Sequence, residues 1–171
     1  FKNIWKNGFL FENYVKNIFN IDSSNILFAN HHVSHALTSI MYENFTKYYI
    51  NKDKLIIVVD GVGDGETLSI YKMNDNKLNR IYVDDYPHSL GLFYSTVTDF
   101  LGFNVNEGEF KVMGLAGYGK PIYKKFILKN IIEWKNNQIR LNMDWFDFDK
   151  DPEKSYSEKF SKYFGEKNKL L

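Results

Sequence analysis

Three of the chain's four histidines fall within the segment NHHVSHA (30–36). On a helix, His31 and His35 stand four residues apart and share a face, with side chains about 5–6 Å apart. Two neutral imidazoles at that spacing suit a single divalent ion such as zinc or iron. His32 points roughly a quarter-turn away and needs another role. The same spacing also fits surface or capping histidines at the start of a helix. A carboxylate strengthens the metal reading. Asp60 closes the apolar run LIIVVD, at the strand end where open α/β sheets bind ligands, and Gly61 lets a ligand approach the backbone. Two histidines and one carboxylate form a ligand set for iron, manganese or zinc that leaves positions open to a substrate oxygen. Taken alone, Asp60 fits equally well as a turn residue bonded to its own backbone.

Two tempting motifs fail. DGVGDGETLSIY begins like a calcium loop, but its third and twelfth positions are Val62 and Tyr71, where oxygen ligands are required. GLAGYGKP (114–121) has the glycine and lysine spacing of a phosphate loop, but Pro121 replaces the hydroxyl residue. The glycines at 108, 114, 117 and 119 still allow backbone amides to face an anion, with Lys111 as a point charge. Glu107 and Glu109 beside Lys111 fit simple pairing with it.

Elements must position these groups. Apolar spacing predicts a helix over 9–19 and another from the histidines through Phe45. NILFAN (25–30) has the length of a short strand. KLIIVVDG (54–61) lacks alternation, the pattern of a strand buried on both faces. DGVGDGE has three glycines and reads as a sharp turn, followed by two strands around an Asn/Asp-rich hairpin. Residues 89–103 read as a helix capped by Ser89 and ended by Gly102. Residues 104–121 read as an irregular glycine-rich loop. A helix over 122–134, a strand at QIRLNM and a helix within DPEKSYSEKFSKYFG complete the reading. The class is α/β, in one unit.

Composition narrows the function. Twenty-two basic and 21 acidic residues leave a net charge of +1 without a basic tract, so no nucleic-acid partner is expected. Cysteine is absent, which removes disulfides, thiolate metal sites and cysteine nucleophiles. No apolar run reaches the ~20 residues that span a bilayer. No membrane partner and a cytoplasmic location are therefore expected. The 44% hydrophobic content is enough for a packed core.

Together, HHVSHA, VVDGVGDGET, YPHSLGLFYSTVTDFLGF and NEGEFKVMGLAGYGKP resemble the carbamoyltransferase family of nodulation proteins and antibiotic-tailoring enzymes. The resemblance runs from about residue 25 to the closing SEKFSKYFG. It implies a ribonuclease-H/actin-like (ASKHA) ATPase fold, incomplete in residues 1–171. It also implies carbamoyl transfer to a hydroxyl of a sugar or antibiotic, from carbamoyl-adenylate made from carbamoyl phosphate and ATP. By position, His31 and His35 match the family's metal-binding histidines and Asp60 its metal- or adenylate-contacting aspartate, with iron expected first and zinc or manganese as alternatives. Asp60, Gly61, Gly63, Glu107, Lys111 and Gly114 are the expected cofactor-side contacts, and His32 is a candidate general base. The family's first strand has no counterpart before Phe1. Its second half, a late aspartate ligand and an adenylate-forming domain are expected beyond Leu171, so the segment alone is expected to be inactive. A more distant resemblance is to threonylcarbamoyl-type tRNA-modifying transferases of the same fold; a catalytically silent binding module is a further alternative.

Overall fold

The computed structural model describes residues 8–46, 53–75, 77–151 and 153–165. The chain divides into two compact units, Phe1–Asn30 and His31–Leu171. The described residues of the first unit form helix α1 (Gly8–Phe19) and a 3-10 turn at Ser23–Asn25. Asp22 caps that turn by accepting the Ser24 N–H. Residues 26–30 carry no regular secondary structure, which corrects the short strand expected at 25–30. A strand needs a ladder partner, and no described strand pairs with this segment.

In the second unit, helix α2 (His31–Thr46) precedes three strands, β1 (Lys54–Gly63), β2 (Glu66–Asn74) and β3 (Lys77–Asp85). They form an antiparallel sheet in the order β1-β2-β3. Ile56 and Val58 point toward α2, where Ala36, Val58 and Tyr71 form a small core with Val33 and Leu78. The alternate residues Leu55, Ile57 and Val59 are 62%, 59% and 53% exposed. The expectation that β1 is buried on both faces is therefore corrected. Its run is uniformly apolar, but only one row meets a described partner.

The glycines of DGVGDGE also behave differently from the expected turn. Gly61 and Gly63 remain within β1, and the pairing register shifts between Val59 and Gly63. The reversal itself is the two-residue pair Asp64–Gly65, flanked by the Gly63–Glu66 pairing. Asp64 and Gly65 have φ of 53° and 88°, the left-handed values that a tight hairpin turn demands and that an Asp-Gly pair supplies.

Helix α3 (Leu90–Phe100) starts at Ser89, whose Oγ accepts the Leu92 N–H at 3.0 Å, as the sequence predicts. Its first turn presses onto β1: a Cβ on Gly91 would lie 2.4 Å from the Asp60 carbonyl oxygen. The segment expected as an irregular loop contains helix α4 (Glu109–Ala116). Helix α5 (Lys124–Asn130) is shorter than the predicted helix, because Ile132–Lys135 forms β4 and pairs with β5 (Gln138–Leu141). Helix α6 (Glu158–Phe164) begins at Ser157, whose side chain accepts the Phe160 N–H. Ile131, Leu141, Trp145, Phe146 and Phe160 form the larger core, with Phe93 and Phe100 of α3 packed on it. The described fold is mixed α/β with small antiparallel sheets. No described helix is long and apolar enough to cross a membrane.

Candidate metal centre

The first turn of α2 and the far half of β1 meet at one point. His31 and His35, one helical turn apart, both direct Nε2 toward Asp60. The Nε2 of His31 lies 2.6 Å from Asp60 Oδ2 and 3.0 Å from the Nε2 of His35. His35 Nε2 is 3.8 Å from the same carboxylate oxygen. Ligand atoms bound about 2.0–2.2 Å from one ion stand roughly 3–3.5 Å apart. The three separations here, 2.6, 3.0 and 3.8 Å, bracket that range, so the donor set suits a metal in chemistry and comes within side-chain adjustment of it in spacing. Their side chains are 43%, 54% and 32% exposed for His31, His35 and Asp60, and open positions would face solvent. A shallow cleft of about 270 Å³ runs alongside, lined by His35, Ser39 and residues 56–60 of β1.

Electrostatics keep the carboxylate ionised. Burial opposes charge on Asp60, but the Gly61 N–H and the two imidazoles outweigh it, and its pKa falls below the ordinary carboxylate range. The Gly61 N–H donates to Oδ1 at 2.6 Å, which leaves Oδ2 turned to the histidines. Ser89 secures the same stretch of backbone. Its hydroxyl lies 2.6 Å from the Gly61 carbonyl oxygen and 3.1 Å from that of Asp60.

His32 lies elsewhere. It is fully buried, with Nδ1 2.7 Å from the Ser69 hydroxyl and 3.6 Å from Glu66 Oε2. Burial lowers its pKa despite the opposing pull of Glu66 and Asp60. Its Nε2 has no hydrogen-bond partner among the described residues. The general base expected at His32 therefore does not fit this geometry, since no ring nitrogen reaches the surface where an acceptor would sit.

Gly61 sits in β1, with Leu92 Cδ2 3.6 Å from where its Cβ would be. Gly63 lies against the His31 ring. Glu107 is exposed, with Oε2 3.5 Å from Asn104 Nδ2. Lys111, on α4, holds its ammonium 5.9 Å from the Phe103 ring centroid and 5.8 Å from that of Phe110. Gly114 is inside α4, so its amide belongs to a helix rather than to an open loop. Near the start of α4, Glu109 accepts the N–H groups of Asn106 and Gly108 and the Ser95 hydroxyl. Gly117 and Gly119 follow the helix, with their N–H groups bonded to the Gly114 and Ala116 carbonyls, and the entry to α4 at Gly108 is filled by the chain's own carboxylate.

Sequence reasoning missed Asp64, whose Oδ2 accepts the His31 backbone N–H at 2.7 Å, and the Ser69–Glu66 pair behind His32. The Asp-Gly dipeptide signalled a turn; nothing local signalled that its carboxylate reaches a helix 33 residues earlier.

A family model described as the carbamoyltransferase N-terminus matches residues 1–171. An uncharacterized protein of Synechocystis sp. is 40% identical over 124 residues, covering 72% of this chain and 19% of its own length. Nodulation protein NolNO of Sinorhizobium fredii is 30% identical over 117 residues, 68% of this chain and 16% of that protein. Nodulation protein NolO of Bradyrhizobium diazoefficiens is 32% identical over 92 residues, 54% of this chain and 16% of that protein. The chain thus spans less than a fifth of the length of these relatives.

Proposed function

Because this chain belongs to the carbamoyltransferase family, as its N-terminal region, we propose that it carries the acceptor-side centre of an O-carbamoyltransferase. The donor is carbamoyl-adenylate, made from carbamoyl phosphate and ATP by another domain of the full-length protein. The acceptor is a hydroxyl of a sugar or natural product. The fold in this proposal is the ribonuclease-H/actin-like one, of which the β1–β3 sheet with α2 and α3 is a part.

The observation that carries the proposal is the convergence of His31, His35 and Asp60 on one point with 2.6 and 3.0 Å between donor atoms. An ion held there would supply Lewis acidity to a carbamoyl or acceptor oxygen. The chain's residues do the rest. Gly61 and Ser89 fix the carboxylate and its strand. The cleft beside His35 and β1 gives the acceptor an approach from the exposed side. Lys111, exposed on α4, offers a cation to the adenylate phosphate. His32 supports the first turn of α2 from the interior and takes no proton from the acceptor.

The test is metal content per chain in the full-length protein, wild type against His35→Ala. Near-stoichiometric iron, zinc or manganese in the wild type, lost in the variant together with carbamoyl transfer, is expected. A folded wild type that takes up no metal after reconstitution would overturn the proposal.

A further inference from the structure

The turn after β1 does more than reverse the chain. Its Asp64 carboxylate accepts the His31 backbone N–H at 2.7 Å. That N–H is among the first of α2, which have no acceptor within the helix. An acidic group at this end also suits the helix dipole. One residue earlier, Gly63 is buried, and a Cβ there would lie 2.0 Å from His31 Cδ2 and 2.4 Å from Cγ. The imidazole thus occupies the space that any side chain at position 63 would need. The hairpin sets His31 twice: Asp64 bonds its backbone, and the lack of a side chain at 63 leaves the space its ring fills. Asp60 lies in the same strand, three residues before Gly63.

We propose that Gly63 and Asp64 are positioning residues for His31, so that one hairpin both supplies the Asp60 ligand and sets the place of a histidine ligand on another element. Neither residue binds the ion. This inference rests on the metal reading above, because the position of His31 matters for function only if His31 is a ligand. Outer partners that orient ligands typically change metal affinity about 10–100-fold when removed.

The experiment uses zinc as the probe ion, titrated into the metal-free full-length protein against a chromophoric chelator. Asp64→Gly removes the acceptor while keeping the left-handed backbone easy, since glycine tolerates φ of 53°. It should bind zinc about 10–100-fold more weakly. Asp64→Asn keeps an acceptor oxygen and also tolerates that backbone, and should recover most of the affinity that Asp64→Gly loses. Zinc binding by Asp64→Gly at wild-type strength, or equal losses in both variants, would overturn the inference. Amide exchange at His31 in the metal-free protein separates the two readings. A protected His31 N–H in wild type that becomes exposed in Asp64→Gly supports the clamp even if the wild type takes up no zinc. An unprotected His31 N–H in wild type overturns the clamp whatever the metal does. Absence of zinc from a folded wild type counts against the metal centre alone.

Discussion

At the scale of single residues, histidines adjacent in sequence have opposite environments. His31 is 43% exposed at its side chain and His32 is fully buried. The i, i+4 spacing made the His31–His35 pair legible from sequence, and the Asp60 partner followed from its place at the end of an apolar run. The burial of His32 was not legible, because it depends on Ser69 and Glu66 arriving from β2, more than thirty residues away. Ser69 is itself fully buried, and its hydroxyl is the group that meets His32 Nδ1. Ser69→Ala strands that nitrogen in the interior, where an unsatisfied polar group costs about 1–3 kcal/mol. Denaturant unfolding of the metal-free protein should show a loss of that size. A change below about 0.5 kcal/mol would remove Ser69 from any supporting role.

At the scale of elements, the sequence identified the helices with clear caps. Ser89 and Ser157 begin α3 and α6 as their side chains predict. It failed where tertiary partners decide. Ile132–Lys135 reads as the end of a helix but pairs with β5, whose Gln138 and Arg140 lie beside β3. The glycines around α4 suggested an irregular loop, yet Val112 is buried there and residues 109–116 close into helix. Ser89 does two jobs: it caps α3, and it hydrogen-bonds to the carbonyls of Asp60 and Gly61. Ser89→Ala should therefore cost about 0.5–2 kcal/mol from the cap and weaken metal binding as well. Melting and zinc titration of the same variant check both parts. A stability loss with unchanged zinc affinity would confine Ser89 to its helix.

At the scale of the whole molecule, β3 and the β4–β5 hairpin are joined by a polar seam. Buried Asp84 meets the Tyr82 hydroxyl, the Ile139 N–H and the Arg140 guanidinium. Nearby, His88 Nδ1 accepts the Leu141 N–H at 3.2 Å. Burial, reinforced by the Arg140 charge and opposed by Asp84, pushes the His88 pKa below 6.5. A histidine whose folded pKa is lowered favours the neutral state. Its contribution is full above the unfolded pKa and is lost as pH falls below about 6.5 toward the folded value. Metal-free wild type should accordingly lose more melting temperature between about pH 7.5 and pH 5.5 than His88→Gln, which keeps an acceptor but cannot charge. Parallel pH profiles for the two proteins would exclude His88 as a source of acid sensitivity.

The outward row of β1 has a consequence for handling the protein. Leu55, Ile57 and Val59 lie more than half exposed along a strand whose only described ladder partner is β2. Unshielded apolar strand edges nucleate pairing between chains. Produced as residues 1–171 alone, the protein should self-associate with rising concentration, and light scattering should report it well before any loss of helix signal. Ile57→Lys places a charge at the middle of that row and should shift the onset to higher concentration without lowering the melting temperature.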